Sequence, residues 1–265
     1  MTKKYFYPFI ILIPFFFHSV VAAKGAYKQR IDLLEKKFEN AGHNSSADVN
    51  GKLISAHVCA VEALSLCALL EQTSEVKELL AKRIDQFHSA FKTSKRYEEK
   101  LLSASTGFYN MILMLGNIRC SGTLYMRPLR EIDAKTSRIG KNDSLDLLTK
   151  CALIHSEAFK LVSLFTIAAD TIGKYKNAIE NTGKAFDEAG KKISRPEGGI
   201  ALAAYQTAKM LDIFIRLRFP HASADLGVLN KELNQPARTV NERMAAGFSG
   251  VFRAAIVLAR QLDQR

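Results

Sequence analysis

Apolar residues recur at three- and four-residue spacing along most of the chain, and no stretch shows the strict alternation of a half-buried strand. Ile31, Leu34 and Phe38 share one face and predict a helix from Tyr27 to about Asn40, followed by a polar loop, "NAGHNSSADVNG". From Lys52 to about Cys120 there is no proline, and only Gly107 and Gly116 interrupt the pattern. Ile54, Val58, Val61, Leu64 and Leu69 belong to a segment that is apolar nearly all round, which predicts a central helix. Leu80, Ile84, Phe87 and Phe91 continue at helical spacing with charges opposite; Tyr97, Leu101, Leu102, Phe108, Ile112 and Leu113 form the next face. Thr93-Ser94 predicts the turn between them, and Thr73-Ser74 an earlier one.

The second half reads differently. Residues 120–143, with Gly122, Pro128 and Gly140, read as a basic irregular connection, the longest in the chain. Ser144 then opens a heptad pattern that places Cys151, Ala158, Phe165, Ile172, Ile179, Phe186 and Ile193 at one position. Ile154, Leu161, Ala168, Tyr175, Thr182 and Ala189 fall three residues later in each heptad. The pattern predicts a single helix over about 144–194, roughly 75 Å long at 1.5 Å per residue. Gly173, Gly183 and Gly190 weaken its far end. Ile200 to Phe219 predicts another apolar helix, stopped by Pro220, and Leu226, Leu229 and Leu233 a short amphipathic one. Pro236 and a capping box, Thr239-x-x-Glu242, open a last helix with Met244, Phe248, Val251, Phe252, Ala255, Leu258 and Leu262 on its face. The expected fold is all-α: one domain over 24–265, built as an elongated antiparallel helical bundle.

The first residues change the picture of where such a bundle works. Lys3 and Lys4 precede an apolar run from Tyr5 to Phe17, and Val21 and Ala23 suit the −3 and −1 positions of signal peptidase. Residues 1–23 therefore read as a cleaved signal peptide and the mature chain as secreted or periplasmic. A retained anchor is the rival reading, but the run is short and carries Pro8 and Pro14, where a spanning helix wants about 20 apolar residues. No transmembrane helix is expected in the mature chain, because its best candidate, "IALAAYQTAKMLDIFIRL", is broken by Lys209 and Asp212.

Charge narrows the partners. The chain has 38 basic and 26 acidic residues, a net charge of +12, which falls to about +10 without Lys3 and Lys4. The densest basic patch is Arg119, Arg127, Arg130, Lys135, Arg138 and Lys141, set against Glu131 and Asp133. It marks a candidate contact loop for a protein partner or an anionic surface such as lipid headgroups or acidic polysaccharide. The plainer reading of these residues is a solvated, mildly basic surface. No basic stripe with interleaved aromatics points to sequence-specific nucleic acid.

Four cysteines in an exported chain suggest two disulfides. Cys59 and Cys67 sit on one helix about 12 Å apart along its axis, too far to bond to each other. A chain reversal at Thr93-Ser94 puts Cys67 level with Cys120, which leaves Cys59 with Cys151 on the helix opened by Ser144. The expected pairing is Cys67–Cys120 and Cys59–Cys151, two structural staples on the central helix.

Catalytic and metal patterns are thin. Cys151 and His155 share a helical face, and His57 lies near Cys59, but these residues do not form an evident ligand cluster. Glu62, the one charge in its apolar helix, is expected to reach a lysine or arginine on a neighbouring helix rather than serve as a general acid. Ser74-x-x-Lys77 and Ser89-x-x-Lys92 lack the companion motifs of penicillin-binding enzymes, and His155-Ser156-Glu157 lacks the cysteine half of a deaminase site. Asn44-Ser45-Ser46 and Asn142-Asp143-Ser144 match the glycosylation sequon. No cofactor, metal or enzymatic activity is expected. The leading functional expectation is a binding protein: an adaptor, secretion-machinery component or host-facing factor. A membrane-active protein such as a pore-forming toxin, releasing Ile200–Leu217 into a bilayer, is the alternative, and a metal-binding protein or enzyme is a weaker one.

Overall fold

A computed structural model describes residues 27–43, 48–71, 74–223, 226–233 and 239–265. These residues form α-helices and one 3₁₀ turn, with no strand among them. The leader and the Asn44 sequon lie outside the described residues. The helices are α1 (Lys28–His43), α2 (Val49–Leu70), α3 (Ser74–Thr93), α4 (Tyr97–Cys120) and α5 (Met126–Lys141). They continue as α6 (Leu147–Ala169), α7 (Lys176–Gly190), α8 (Pro196–Arg218), α9 (Leu226–Leu233) and α10 (Val240–Asp263). The turn at Thr93-Ser94 falls where the pattern placed it, and the Thr239–Glu242 capping box forms with both reciprocal bonds.

The even-numbered helices all run in the same direction. His57 of α2 lies beside Phe108 of α4, and further along Glu71 pairs with Arg119, so α2 and α4 are parallel. Phe108 meets His155 and Gly116 faces Phe165, which sets α6 parallel to α4. Gly199 faces Ala152 and Phe214 meets Phe165, so α8 follows α6. Gly247 and Gly250 face Ala204 and Ala208, so α10 follows α8. Phe248 stacks on His57 and the Ala255 carbonyl accepts from Cys67, which closes α10 back onto α2. The long apolar helices thus form a closed ring of five, each packed on the next around one core.

Each odd-numbered helix returns the chain along the outside. α1, α3, α5, α7 and α9 each pack on the inner helix that follows, and α1, α3, α5 and α7 also pack on the inner helix on their other side. This division explains the hydrophobic pattern: α2 and α6 are apolar nearly all round because they are covered on both faces, whereas α5 buries only Leu129, Thr136 and Ile139. The first and last described helices, α1 and α10, meet at the closure. Phe38 stacks on Phe252 at 4.2 Å, Glu35 pairs with Arg260, and the Tyr27 N–H donates to Asp263 Oδ1 at 3.0 Å.

Three expectations are corrected. The long helix over 144–194 is two helices, α6 and α7, joined by a turn in which Gly173 has a φ of +70° and Asp170 Oδ2 accepts from the Tyr175 N–H. The heptad spans the break because α7 folds back and packs Ile179 and Phe186 on the bundle, Phe186 against Phe159 at 4.3 Å, while the heptad residue Ile172 stands exposed in the turn. The irregular connection over 120–143 is mostly the regular helix α5. Pro128 stands in its first turn, where an N–H has no intrahelical acceptor to lose. The two disulfides are absent: Cys59, Cys67, Cys120 and Cys151 are all free and buried. Parallel inner helices cause this. His57 and His155 are level, so Cys59 lies two residues above that level and Cys151 four below, about 9 Å apart along the axis. Cys67 turns instead toward α10 and donates to the Ala255 carbonyl at 3.0 Å.

Close approach at the α8–α10 seam depends on small residues. A Cβ at Gly247 would stand 2.8 Å from Ala204 Cβ and 2.9 Å from the Tyr205 backbone nitrogen, so α8 itself must move to admit it. Gly247→Ala should destabilise by about 1–3 kcal/mol, after a helix-propensity gain of up to about 1 kcal/mol is overcome. Gly183→Ala, in the interior of α7 with open space at its Cβ, should stabilise by about 0.5–1 kcal/mol. Chemical denaturation of the two variants checks the opposite signs.

Candidate functional site

A cluster of two histidines and two phenylalanines lies inside the ring. His57 from α2, Phe108 from α4, His155 from α6 and Phe248 from α10 meet at one level. His57 lies flat on Phe248, with centroids 3.9 Å apart and planes 6° apart, and its ring centroid is 5.0 Å from that of His155. Both imidazoles are fully buried and none of their four ring nitrogens has a hydrogen-bond partner. Burial holds His155 down at about 3, and burial first, then the neighbouring His155, holds His57 well below the ordinary histidine range. Both rings are therefore neutral at physiological pH and serve as flat, aromatic-like packing. Among the described residues no third histidine, cysteine or carboxylate joins them to make a metal-ligand set.

The sequence shows both histidines but no evident cluster that joins them. The signal that could have joined them is that each stands among buried apolar positions of a helix that is apolar nearly all round.

The thiols are equally inert. Burial pushes Cys59 and Cys151 up to about 12, and Cys67 and Cys120 are raised by the same cause. A thiolate is the nucleophile, so none of the four is a reactive cysteine in the folded chain. A thiol reagent should find all four unreactive in native protein and four equivalents free in denaturant without reductant.

The basic residues divide into two sets. Arg119 points inward at the end of α4, where it pairs with Glu71 and lies 5.8 Å from the centroid of Phe214 across the ring. Lys135 donates to Glu157 at 2.7 Å, and Lys160 donates to the same carboxylate at 2.9 Å, so Lys135 pins α5 to α6. Glu62 likewise accepts from Lys37 of α1 at 2.6 Å, the interhelix partner that its place in an apolar helix predicts. The remaining four, Arg127, Arg130, Arg138 and Lys141, are exposed. At 100° per residue they fall within one outward stripe of α5, about 21 Å long. Glu131 is the acid on that stripe and accepts from Arg127 Nε at 3.1 Å. A shallow open depression of about 510 Å³ lies at the start of the helix, lined by Thr123, Leu124, Met126, Arg127, Arg130 and Ala134 among others.

The helix 196–218, which contains the segment expected to be released in a toxin-like reading, is an inner-ring helix with most of its apolar side chains buried. Among the described residues the helices long and apolar enough to cross a membrane are instead α2 and α6, and more than half of each apolar stretch is buried in the ring. Comparison of the chain with protein-family models, curated proteins and solved structures finds no match in any of the three.

Proposed function

We propose that the protein is a non-enzymatic binding module that uses the outward stripe of α5 to hold an anionic partner outside the cytoplasm. The observation that carries this reading is the separation of the basic residues: two are consumed in interhelix ion pairs, and four stand together in solvent. Such a stripe concentrates positive potential along one edge of a chain that is basic overall. The ring interior supports the same reading by its chemistry, since its imidazoles are neutral and buried and its thiols protonated at neutral pH. Export belongs to the proposal and rests on the pattern of Lys3, Lys4 and the apolar run that follows them.

Retention on a dextran sulfate matrix tests it. The Arg127→Glu/Arg130→Glu/Arg138→Glu/Lys141→Glu variant should elute at markedly lower salt than wild type and keep its far-ultraviolet spectrum, with a melting temperature lowered by the carboxylates placed in the last turn of α5 and beside Glu131. Equal elution of the two proteins would remove α5 as the contact surface.

A further inference from the structure

The geometry points to an anionic lipid bilayer as the partner, gripped by the end of the ring where the α4–α5 and α6–α7 turns lie side by side. This inference rests on the reading of α5 as an anion-binding stripe and adds what kind of surface it meets. Leu124 and Ile172 are the most exposed large apolar residues of the described chain, at 79% and 85%. Each stands on a turn built around a glycine with positive φ, Gly122 in one and Gly173 in the other. α4 and α6 are adjacent and parallel, so both turns emerge at the same end of the ring from neighbouring inner helices. Ile167, in the last turn of α6, is partly exposed at that end as well.

Cations surround these tips. Arg127 and Arg130 follow Leu124 on α5, and Lys174 and Lys176 follow Ile172; all four are exposed. An acidic polymer would use the cations alone and gain nothing from two projecting aliphatic side chains. A bilayer uses both: headgroup phosphates meet the cations while the aliphatic tips enter the interface. Arg138 and Lys141 lie at the far end of α5 and remain away from the membrane plane in this pose.

Co-sedimentation with vesicles decides it, using phosphatidylcholine alone and phosphatidylcholine containing phosphatidylglycerol. Wild type should bind the anionic vesicles and leave the neutral ones, and Leu124→Ser/Ile172→Ser should weaken that binding at least about tenfold. The same double variant should be retained on dextran sulfate as wild type is, with an unchanged far-ultraviolet spectrum and melting temperature. Arg127→Glu/Arg130→Glu should lose more vesicle affinity than Arg138→Glu/Lys141→Glu. Wild-type retention on dextran sulfate without vesicle binding would overturn the bilayer and leave the anion-binding stripe standing. Failure on both matrices would overturn both. Undiminished vesicle binding by the serine variant would also sink the bilayer pose.

Discussion

Acidifying the protein from pH 7 to pH 5.5 should cost about 2–3 kcal/mol of stability through His57 and His155 alone. Each imidazole takes up a proton near pH 6.5 when unfolded but is held well below that value in the ring. The folded-state value is the lower one, so the unfolded chain binds more protons as the pH falls. Stability from this source is fully present above about pH 6.5 and declines below it, by about 1.4 kcal/mol per pH unit for each ring. Two rings moving together give a slope that is a large share of the 5–15 kcal/mol typical of a domain.

The surroundings offer no relief to either imidazolium. Phe108 from α4 and Phe248 from α10 face the rings and do not titrate. The carboxylates of the packed helices are engaged elsewhere: Glu62 with Lys37 of α1, Glu157 with Lys135 of α5 and Lys160, and Asp212 of α8 with Arg216. Cys151, one turn before His155, is itself held protonated by burial. His88 of α3 is also lowered by burial, with Glu62 opposing it, and adds a smaller contribution of the same sign. Urea denaturation between pH 5 and 7.5 measures the slope, and the His57→Phe/His155→Phe variant should flatten most of it. An equally steep slope in that variant would show that the pair does not set the acid limit.

That cluster also shows what a pattern in one dimension conveys and what it omits. Helix existence was legible from spacing: the stripe Leu101, Phe108, Ile112 in α4 and the stripe Met244, Phe248, Val251 in α10 are buried as their periods require. Direction and neighbourhood were not. A row of helices joined by short turns reads as an up-and-down bundle, in which every helix opposes the last. Here the outer helices absorb the reversals, so the inner ones come out parallel, and residues that an antiparallel scheme puts level are displaced from one another. Cys59 and Cys151 lost their expected bond to that displacement, whereas His57 and His155 meet because both side chains point into the ring. α5 was obscured for a local reason, since Pro128 and Gly140 look like breakers unless it is known that they stand in the first and last turns. The basic patch is visible as a segment, but only helical geometry separates Arg119 and Lys135, which pair with carboxylates of neighbouring helices, from the four residues that do not.

Arg119 gives the second large effect, and it sets the two kinds of basic residue apart by measurement. Its side chain is 14% exposed and that of its partner Glu71 is 7% exposed. Glu71 is the C-cap residue of α2, where the negative end of the helix dipole adds to the cost of a carboxylate. One of its oxygens, Oε1, is already buried without a hydrogen-bond partner. Arg119→Met therefore leaves a nearly buried anion facing a helix C-terminus and the apolar ring of Phe214, and should destabilise by about 3–5 kcal/mol. Neutralising both partners removes the stranded charge, so Arg119→Met/Glu71→Gln should recover more than half of that loss. Arg130→Met, by contrast, changes an exposed side chain and should alter stability by less than about 0.5 kcal/mol while weakening retention on dextran sulfate. A double-mutant cycle in urea reads the coupling directly. Near-additive losses for Arg119 and Glu71 would show that the ion pair does not hold the end of α4 to the end of α2, and would return Arg119 to the solvent-facing set.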